Sequence, residues 1–335
     1  MREDKSAKPA IFTLHGFIKT QIARLTGFHK PKEVGWKLIF KSWGLKSSIA
    51  VDDLRTFLVG SKTDDELCGR RWFYLIDQIR DHVAIEPSTG EILALVSAPT
   101  YNPNLLIGRK RSANYSILSK DEKKPLFNRA LQGTYPPGST FKLITGLIAL
   151  QEGAISKNTQ FSCDDGYDYG NDKKVGCHPH KSPVKLINGI EISCNAYFCN
   201  IYEKYFNRFG STIEAYDNWY SHVSSFGLGN FMNNDFITGS AGKLPKSTYF
   251  NTLYRGSWNA NTIISMAIGQ GELLLTPIQM ANMTVILANK GFYYTPHIIK
   301  SISGEQTIDS NYTTKKYCSI DKQHFIPIVN GMEQV

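Results

Sequence analysis

At 335 residues, with 41% hydrophobic and 20% charged residues, the chain is long enough for a sizeable core and points to two domains, or to one large domain with an appendage. The formal net charge of +9 fits an anionic partner, whether nucleic acid, a membrane surface or a cell-wall polymer. No run of ~18 or more apolar residues occurs, so no transmembrane helix is expected; the N-terminus lacks a signal-peptide layout, and six cysteines are too few for a disulfide scaffold at this length.

Residues 1 to about 81 mix apolar and basic side chains without a sustained period. Short helices are expected from Phe17, from Asp52 and from Arg71. No helix-turn-helix or zinc-finger pattern is present, so nucleic acid is not the expected partner. Organisation sharpens at Val83. Val83, Ala84 and Ile85 form a short apolar run, 86–90 supply turn chemistry, and 92–97 form a second apolar run. Together they read as a hairpin. Residues 98–104 break regular structure, and the polar stretch through Lys120 reads as a surface loop or helix.

A Pro136-Pro137-Gly138 turn then runs into Ser139, with Lys142 three residues on and an apolar run at 143–150 that fits a buried helix. Positions three apart share a helix face. Ser139 and Lys142 are therefore expected side by side at a helix N-terminus, where the macrodipole and free N–H groups favour developing negative charge. A serine needs a neighbouring base to become a nucleophile, and lysine serves only if its pKa is depressed, as burial readily does. Alone, so short a pattern of common residue types is better read as a capped helix with a first-turn charge.

The surrounding strings carry more. Residues 84–97, 101–109, 125–131 and 135–142, in that order, resemble the penicillin-binding transpeptidase domains, and among them the class B penicillin-binding protein 2 family of cell elongation. The resemblance covers about 83–335. Ser193, Cys194 and Asn195 match the family's second motif, Ser-x-Asn, in which a hydroxyl and an amide relay a proton and orient the lysine. Ile268-Gly269-Gln270-Gly271, followed by Thr276 and Pro277, resembles the segment before the last motif and reads as a turn and a helix with proline in its first turn. The third motif, Lys-Thr-Gly or Lys-Ser-Gly, is absent from the sequence; Lys181-Ser182-Pro183 and Lys246-Ser247-Thr248 are the nearest strings, and neither fits. The family places that motif after a segment like 325–332, so the chain reads as truncated before it. Losing one oxyanion-hole donor already costs about a hundredfold to a thousandfold in rate. A poor or inactive transpeptidase is therefore the expectation for this piece alone.

Cys163, Cys177, His178, His180 and Cys194 form a second constellation. Three thiols and one imidazole suit tetrahedral zinc, although the spacing fits no short regular zinc signature. Some members of the family carry a zinc beside the active site, with carboxylates among its ligands. The expected set is Cys163, Cys177, His180 and Cys194, with His178 the alternative imidazole and Asp172 a rival. A Cys163–Cys177 disulfide, or buried free thiols, would explain the same residues.

The resemblance implies an α/β (α+β) transpeptidase fold related to serine β-lactamases. A mostly antiparallel sheet would be sandwiched by helices and C-terminally incomplete, with 1–81 an N-terminal region of unknown role and 82–335 the penicillin-binding domain. It implies catalytic Ser139, Lys142, Ser193 and Asn195, and one structural Zn²⁺. It implies peptidoglycan stem peptides ending in D-Ala-D-Ala as substrate, β-lactams as ligands, membrane elongation-complex proteins as partners, and the periplasmic face of the inner membrane as location. The alternatives are a serine β-lactamase or D,D-carboxypeptidase, which share the first two motifs, and a non-catalytic binding module.

Overall fold

The structure, a computed structural model, describes residues 81–170, 173–303 and 308–335. The helices expected within residues 1–80 lie outside it, as does Asp172. Two compact units separate by their contacts. One includes Leu93–Ala130, and the other Ala84–Ile92 with Leu131–Val335. Strands β1 (Asp81–Ile85) and β2 (Ile92–Ser97) pair as the expected hairpin.

The described residues of the smaller unit include several exposed large apolar side chains, among them Ile107 and Ile117. Its helix α1 (Arg111–Lys120), the stretch read as loop or helix, buries none of its residues. Asn114 ties it to the preceding 3-10 turn Pro103–Leu106 by donating to the Leu105 carbonyl at 2.7 Å. The following loop is closed by Arg129, which opens the short helix α2 (Arg129–Gln132). Its guanidinium donates to the carbonyls of Lys123, Lys124 and Phe127 at 2.7, 3.3 and 3.4 Å. The charge is thus spread over three acceptors that would otherwise need water.

The larger unit is organised around α3 (Lys142–Gln151), in which Lys142 to Leu150 are all buried. A helix apolar on every side has no face to give to solvent and must be covered all round. In chain order it is followed by β3 (Gln160–Phe161), β4 (Gly166–Asp168), β5 (Lys174–Gly176), β6 (Val184–Lys185), α4 (Leu186–Glu191), α5 (Asn195–Phe206), α6 (Thr212–Ser225), α7 (Ser247–Leu253), a 3-10 helix Ala260–Ile268, α8 (Pro277–Asn289), β7 (Phe292–Tyr293), α9 (Ser310–Thr313), β8 (Lys316–Tyr317) and α10 (Lys322–Met332). Helices α4, α5, α6, α10 and the Ala260–Ile268 helix all touch α3. Gly146 admits α10 and α4, since a Cβ there would lie 3.0 Å from Ile328 and 3.4 Å from Leu186.

The expected mixture of helix and strand is present. Among the described residues the strands form two-stranded ladders, of which β3–β6, β4–β5 and β7–β8 are antiparallel. The expected helix behind Pro277 is also present. Thr276 and Gln279 cap α8 reciprocally, each side chain accepting from the other's backbone N–H at 3.0–3.3 Å. An aromatic cluster fixes the start of α3. Phe141, fully buried between Ser139 and Lys142 in the sequence, meets Trp219 of α6 edge-on at 6.0 Å, and Trp219 also meets Tyr202 and Tyr216. Burying such a ring contributes about 2–3 kcal/mol, which holds the preceding turn in place.

Candidate active site and adjoining thiol cluster

Ser139 stands exposed on a single 3-10 turn, Gly138–Phe141, which runs into α3. The turn is clamped from outside. Gly138 N–H donates to Gly269 O at 2.8 Å, and Tyr135 exchanges two backbone hydrogen bonds with Leu275, at 2.8 and 2.9 Å. Gly269 closes the Ala260–Ile268 helix with φ of +70°. A Cβ on it would collide with the Gly138 carbonyl and lie 2.6 Å from Phe141 Cβ. Only glycine meets both demands at no cost. The Ile268–Gly271 string is therefore structural, as read from the sequence, but it acts on the turn that presents Ser139.

Lys142 is 2% exposed. Its ammonium donates to Ser193 O at 2.7 Å and Ser193 Oγ at 2.9 Å, and lies 5.7 Å from the centre of the Phe198 ring. It makes no hydrogen bond to Ser139 Oγ. The two residues expected side by side sit on consecutive turns, with the lysine turned towards the second motif. Burial lowers its pKa from 10.5 to about 8, partly opposed by the thiol groups of Cys177, Cys194 and Cys199. Among the described residues no carboxylate bonds it. A buried lysine held by neutral oxygens is readily deprotonated, which is what a general base near neutral pH requires.

Ser193 owes its position to the end of α4. Ser193 N–H and Cys194 N–H fold back onto Ile190 O and Gly189 O at 3.1 and 2.9 Å, which leaves Ser193 at φ of +53°. That left-handed conformation costs a non-glycine residue about 1–2 kcal/mol. It turns both the carbonyl and the hydroxyl of one residue onto Lys142. Asn195 begins α5 and makes no hydrogen bond to the lysine. Its Nδ2 donates to Gly176 O at 2.8 Å, and its backbone N–H donates to Cys177 Sγ at 3.3 Å.

Sulfur atoms cap this helix. Cys194, at the N-cap of α5, accepts from Tyr197 N–H at 3.3 Å, so two N–H groups of the first turn end on thiols. Sulfur accepts weakly when protonated and strongly when ionised, and a helix N-terminus favours the anion. Burial raises the Cys177 thiol pKa, but donation from Asn195, His180 and Ala196 outweighs it and the net direction is down. Burial dominates at Cys194 and pushes it up to about 12.

One ligand atom from each of Cys163, Cys177, His180 and Cys194 lies within 4.8 Å of the other three. A tetrahedral ion with Zn–S bonds of ≈ 2.3 Å asks for donor–donor edges of about 3.8 Å, so small side-chain movements bring the four into range. His180 is prepared for such a role. Its Nδ1 lies 2.8 Å from Lys181 O and donates to it, so in the neutral ring Nε2 is bare at 3.4 Å from Cys177 Sγ, and only the protonated ring donates to that sulfur. His178 meets His180 only ring to ring, at 5.6 Å, and is not part of the cluster. All three cysteines are free thiols rather than disulfides.

The pattern of the penicillin binding protein transpeptidase domain matches residues 82–335. The chain belongs to this family. The peptidoglycan D,D-transpeptidase MrdA of Acinetobacter baumannii is 35% identical to the chain over 230 residues, covering 66% of this chain and 32% of the relative. A solved structure of Pseudomonas aeruginosa PBP2 in complex with WCK 5153 aligns with a TM-score of 0.66 at 31% identity, over 76% of this chain and 57% of that one. A second, of a peptidoglycan synthase complex that coordinates polymerization and crosslinking, aligns with a TM-score of 0.64 at 28% identity, over 75% of this chain and 41% of that one. The chain thus spans about a third of the length of the curated relatives it matches.

Three features of this site were not read from the sequence. The Gly269 clamp was visible only as a Gly-x-Gly string. The Gly176 carbonyl that holds Asn195 is a main-chain group without a side-chain signal. Phe198, under the Lys142 ammonium, reads as one more apolar residue of α5.

Proposed function

We propose that this chain carries the acyl-transfer site of a peptidoglycan D,D-transpeptidase of cell-wall elongation. The observation that carries the reading is the buried Lys142, bonded to the Ser193 hydroxyl at 2.9 Å and lowered to about 8 beside an exposed serine turn. Ser139 attacks the penultimate D-Ala carbonyl of a stem peptide ending in D-Ala-D-Ala. Lys142 takes the hydroxyl proton, and Ser193 passes a proton onward to the departing D-Ala amine. The Ser139 backbone N–H, in the first turn of the helix, faces the developing oxyanion. Asn195 orients the peptide. An amine of a neighbouring stem peptide then displaces Ser139 from the acyl-enzyme, forming the cross-link. β-Lactams trap the same serine.

The substrate lies outside the cytoplasmic membrane, so the site works at the periplasmic face. The similarity to a protein solved within a peptidoglycan synthase complex supports partners in a membrane elongation complex. Among the described residues no helix is long and apolar enough to cross a membrane. Fluorescent-penicillin labelling of the 335-residue chain and of Ser139→Ala tests the nucleophile. Labelling lost only in the variant supports it, and labelling that survives the substitution overturns it.

The thiol cluster fits one structural zinc held by Cys163, Cys177, His180 and Cys194. A bound ion would neutralise thiolates and tie the 163–180 segment to the start of α5. Elemental analysis should find about one zinc per chain, falling in Cys163→Ser. Purified protein well below one zinc, with no loss in that variant, removes the site.

A further inference from the structure

The larger unit holds a cavity of about 550 Å³ that the acyl-transfer chemistry does not use. It lies in the range of small-molecule sites, ~300–1,000 Å³. Its walls come from the β4–β5 ladder, from Asn200 and Glu203 on α5, and from Asn261. The Tyr167 hydroxyl is 2.7 Å from Glu203 Oε2 and 3.1 Å from Asn261 Oδ1, and donates to both in turn with a single proton. One of these acceptors therefore always has capacity to spare. Among the described residues, the second Glu203 oxygen and the Asn261 amide nitrogen have no protein partner. Asn200 is pinned through its nitrogen to Ala196 O at 2.8 Å, which leaves its oxygen as an acceptor.

The lining sets three carboxylates, Asp164, Asp168 and Glu203, against Lys174, with the Asn200 and Asn261 amides among them. Asp164 and Asp168 are exposed carboxylates, and Lys174 stands on the same wall. Among the described residues the only group of three or more ligand side chains with atoms close enough to share an ion is the Cys163–Cys177–His180–Cys194 cluster. These carboxylates are too dispersed for a metal, and Lys174 opposes a small organic cation. Dispersed acceptors interleaved with amides, beside the half-buried ring of Tyr169, suit a ligand whose every group both donates and accepts. Sugar hydroxyls and N-acetyl groups do this.

Position adds to chemistry. The ladder that forms one wall pairs Gly166 with Gly176, whose carbonyl holds the Asn195 side chain. At 1.5 Å rise per residue, Asn200 and Glu203 follow Asn195 along α5 by about 8 and 12 Å. We propose that this cavity is a saccharide subsite, taking an N-acetylhexosamine unit of the glycan strand whose stem peptide enters the Ser139 site. The inference rests on the transpeptidase reading for the identity of the strand, but the cavity's preference for a saccharide is measurable by itself.

The test is isothermal titration, with saturation-transfer NMR, of the 335-residue chain with a peptide-free β-1,4-linked N-acetylglucosamine tetramer. Saturable binding is expected, weakened about tenfold by Glu203→Gln and by Asn261→Ala, and unchanged by Ser139→Ala. Asp168→Asn, on an exposed side chain, gives a milder variant should Glu203→Gln fail to fold. No saturable binding, binding unaffected by folded variants, or displacement of the saccharide by hexane-1,6-diamine would each overturn the subsite. Penicillin labelling of Ser139 reads the other site. A chain that labels but binds no saccharide loses only this inference, and one that binds saccharide but labels independently of Ser139 loses only the catalytic assignment.

Discussion

Raising the pH from 6 to 9.5 titrates Lys142, whose own NMR signal separates it from the Cys177 thiol, shifted down, and the His180 ring, shifted up, in the adjoining cluster. With its pKa lowered from 10.5 to about 8, about a tenth of Lys142 is neutral at pH 7, against about one part in 3,000 for an ordinary lysine. That is roughly a 300-fold larger supply of base. At ~1.4 kcal/mol per pH unit, the folded chain disfavours the ammonium by about 3 kcal/mol. The acylation rate with a fluorescent penicillin should therefore rise about tenfold per pH unit below 8 and level off above it. A ¹³Cε NMR titration of Lys142 should show the same midpoint without requiring turnover. The linkage has a definite sign. Between about 8 and 10.5 the unfolded chain binds more protons than the folded one, so stability rises with pH in that window, while below 8 the burial penalty is present in full. Lys142→Met removes the penalty, so the difference in stability between variant and parent should move by about 2 kcal/mol in the parent's favour between pH 7 and 9.5. A titration midpoint near 10.5, or a pH-independent difference between parent and variant, would refute the argument.

Gly269→Ala places a methyl against Gly138 and Phe141 at positive φ and should cost about 2 kcal/mol or more, read as a lowered denaturant midpoint with slower Ser139 labelling. Ser193→Ala keeps the carbonyl contact to Lys142 but loses the hydroxyl. It should cost only about 1 kcal/mol in stability yet roughly a hundredfold in acylation rate. Chelation of purified protein should lower Tm, by roughly 2–4 °C for each kcal/mol of metal binding lost in a domain of this size. An unchanged Tm with full metal removal would deny the cluster a structural role.

Local patterns were legible where one segment contained the whole signal. The all-apolar run behind Lys142 had to become a covered helix, and Thr276, Pro277 and Gln279 carry a complete helix start within four residues. The hairpin around 86–90 and the Ser139 turn were readable for the same reason. The contact between Lys142 and Ser193 was not, because it closes over 51 residues of chain. Only the resemblance to a family placed the two motifs together. The choice between His178 and His180 was beyond the sequence as well, since both sit in one tight loop with identical side chains. What separates them is a main-chain carbonyl, Lys181 O, which fixes one ring's Nδ1 and leaves its Nε2 facing sulfur.

The second motif shows why its three residues cannot be treated as three independent contributions. Ser193 points to Lys142, Cys194 to the thiol cluster, and Asn195 to Gly176 and Cys177. Successive residues leave a tight turn in different directions, so the tripeptide pins the helix that bears Lys142 to the hairpin flanked by Cys163 and Cys177. The strained φ at Ser193 is maintained because both ends are held. Releasing the Cys177 side frees the Asn195 amide and the first N–H of α5 together. Releasing the Lys142 side frees only the Ser193 hydroxyl and carbonyl. Damage to the thiol cluster should therefore free the Asn195 amide and lower acylation, while loss of the Cys177 or Cys194 thiol, which holds the lysine pKa up, moves the Lys142 titration midpoint down rather than up.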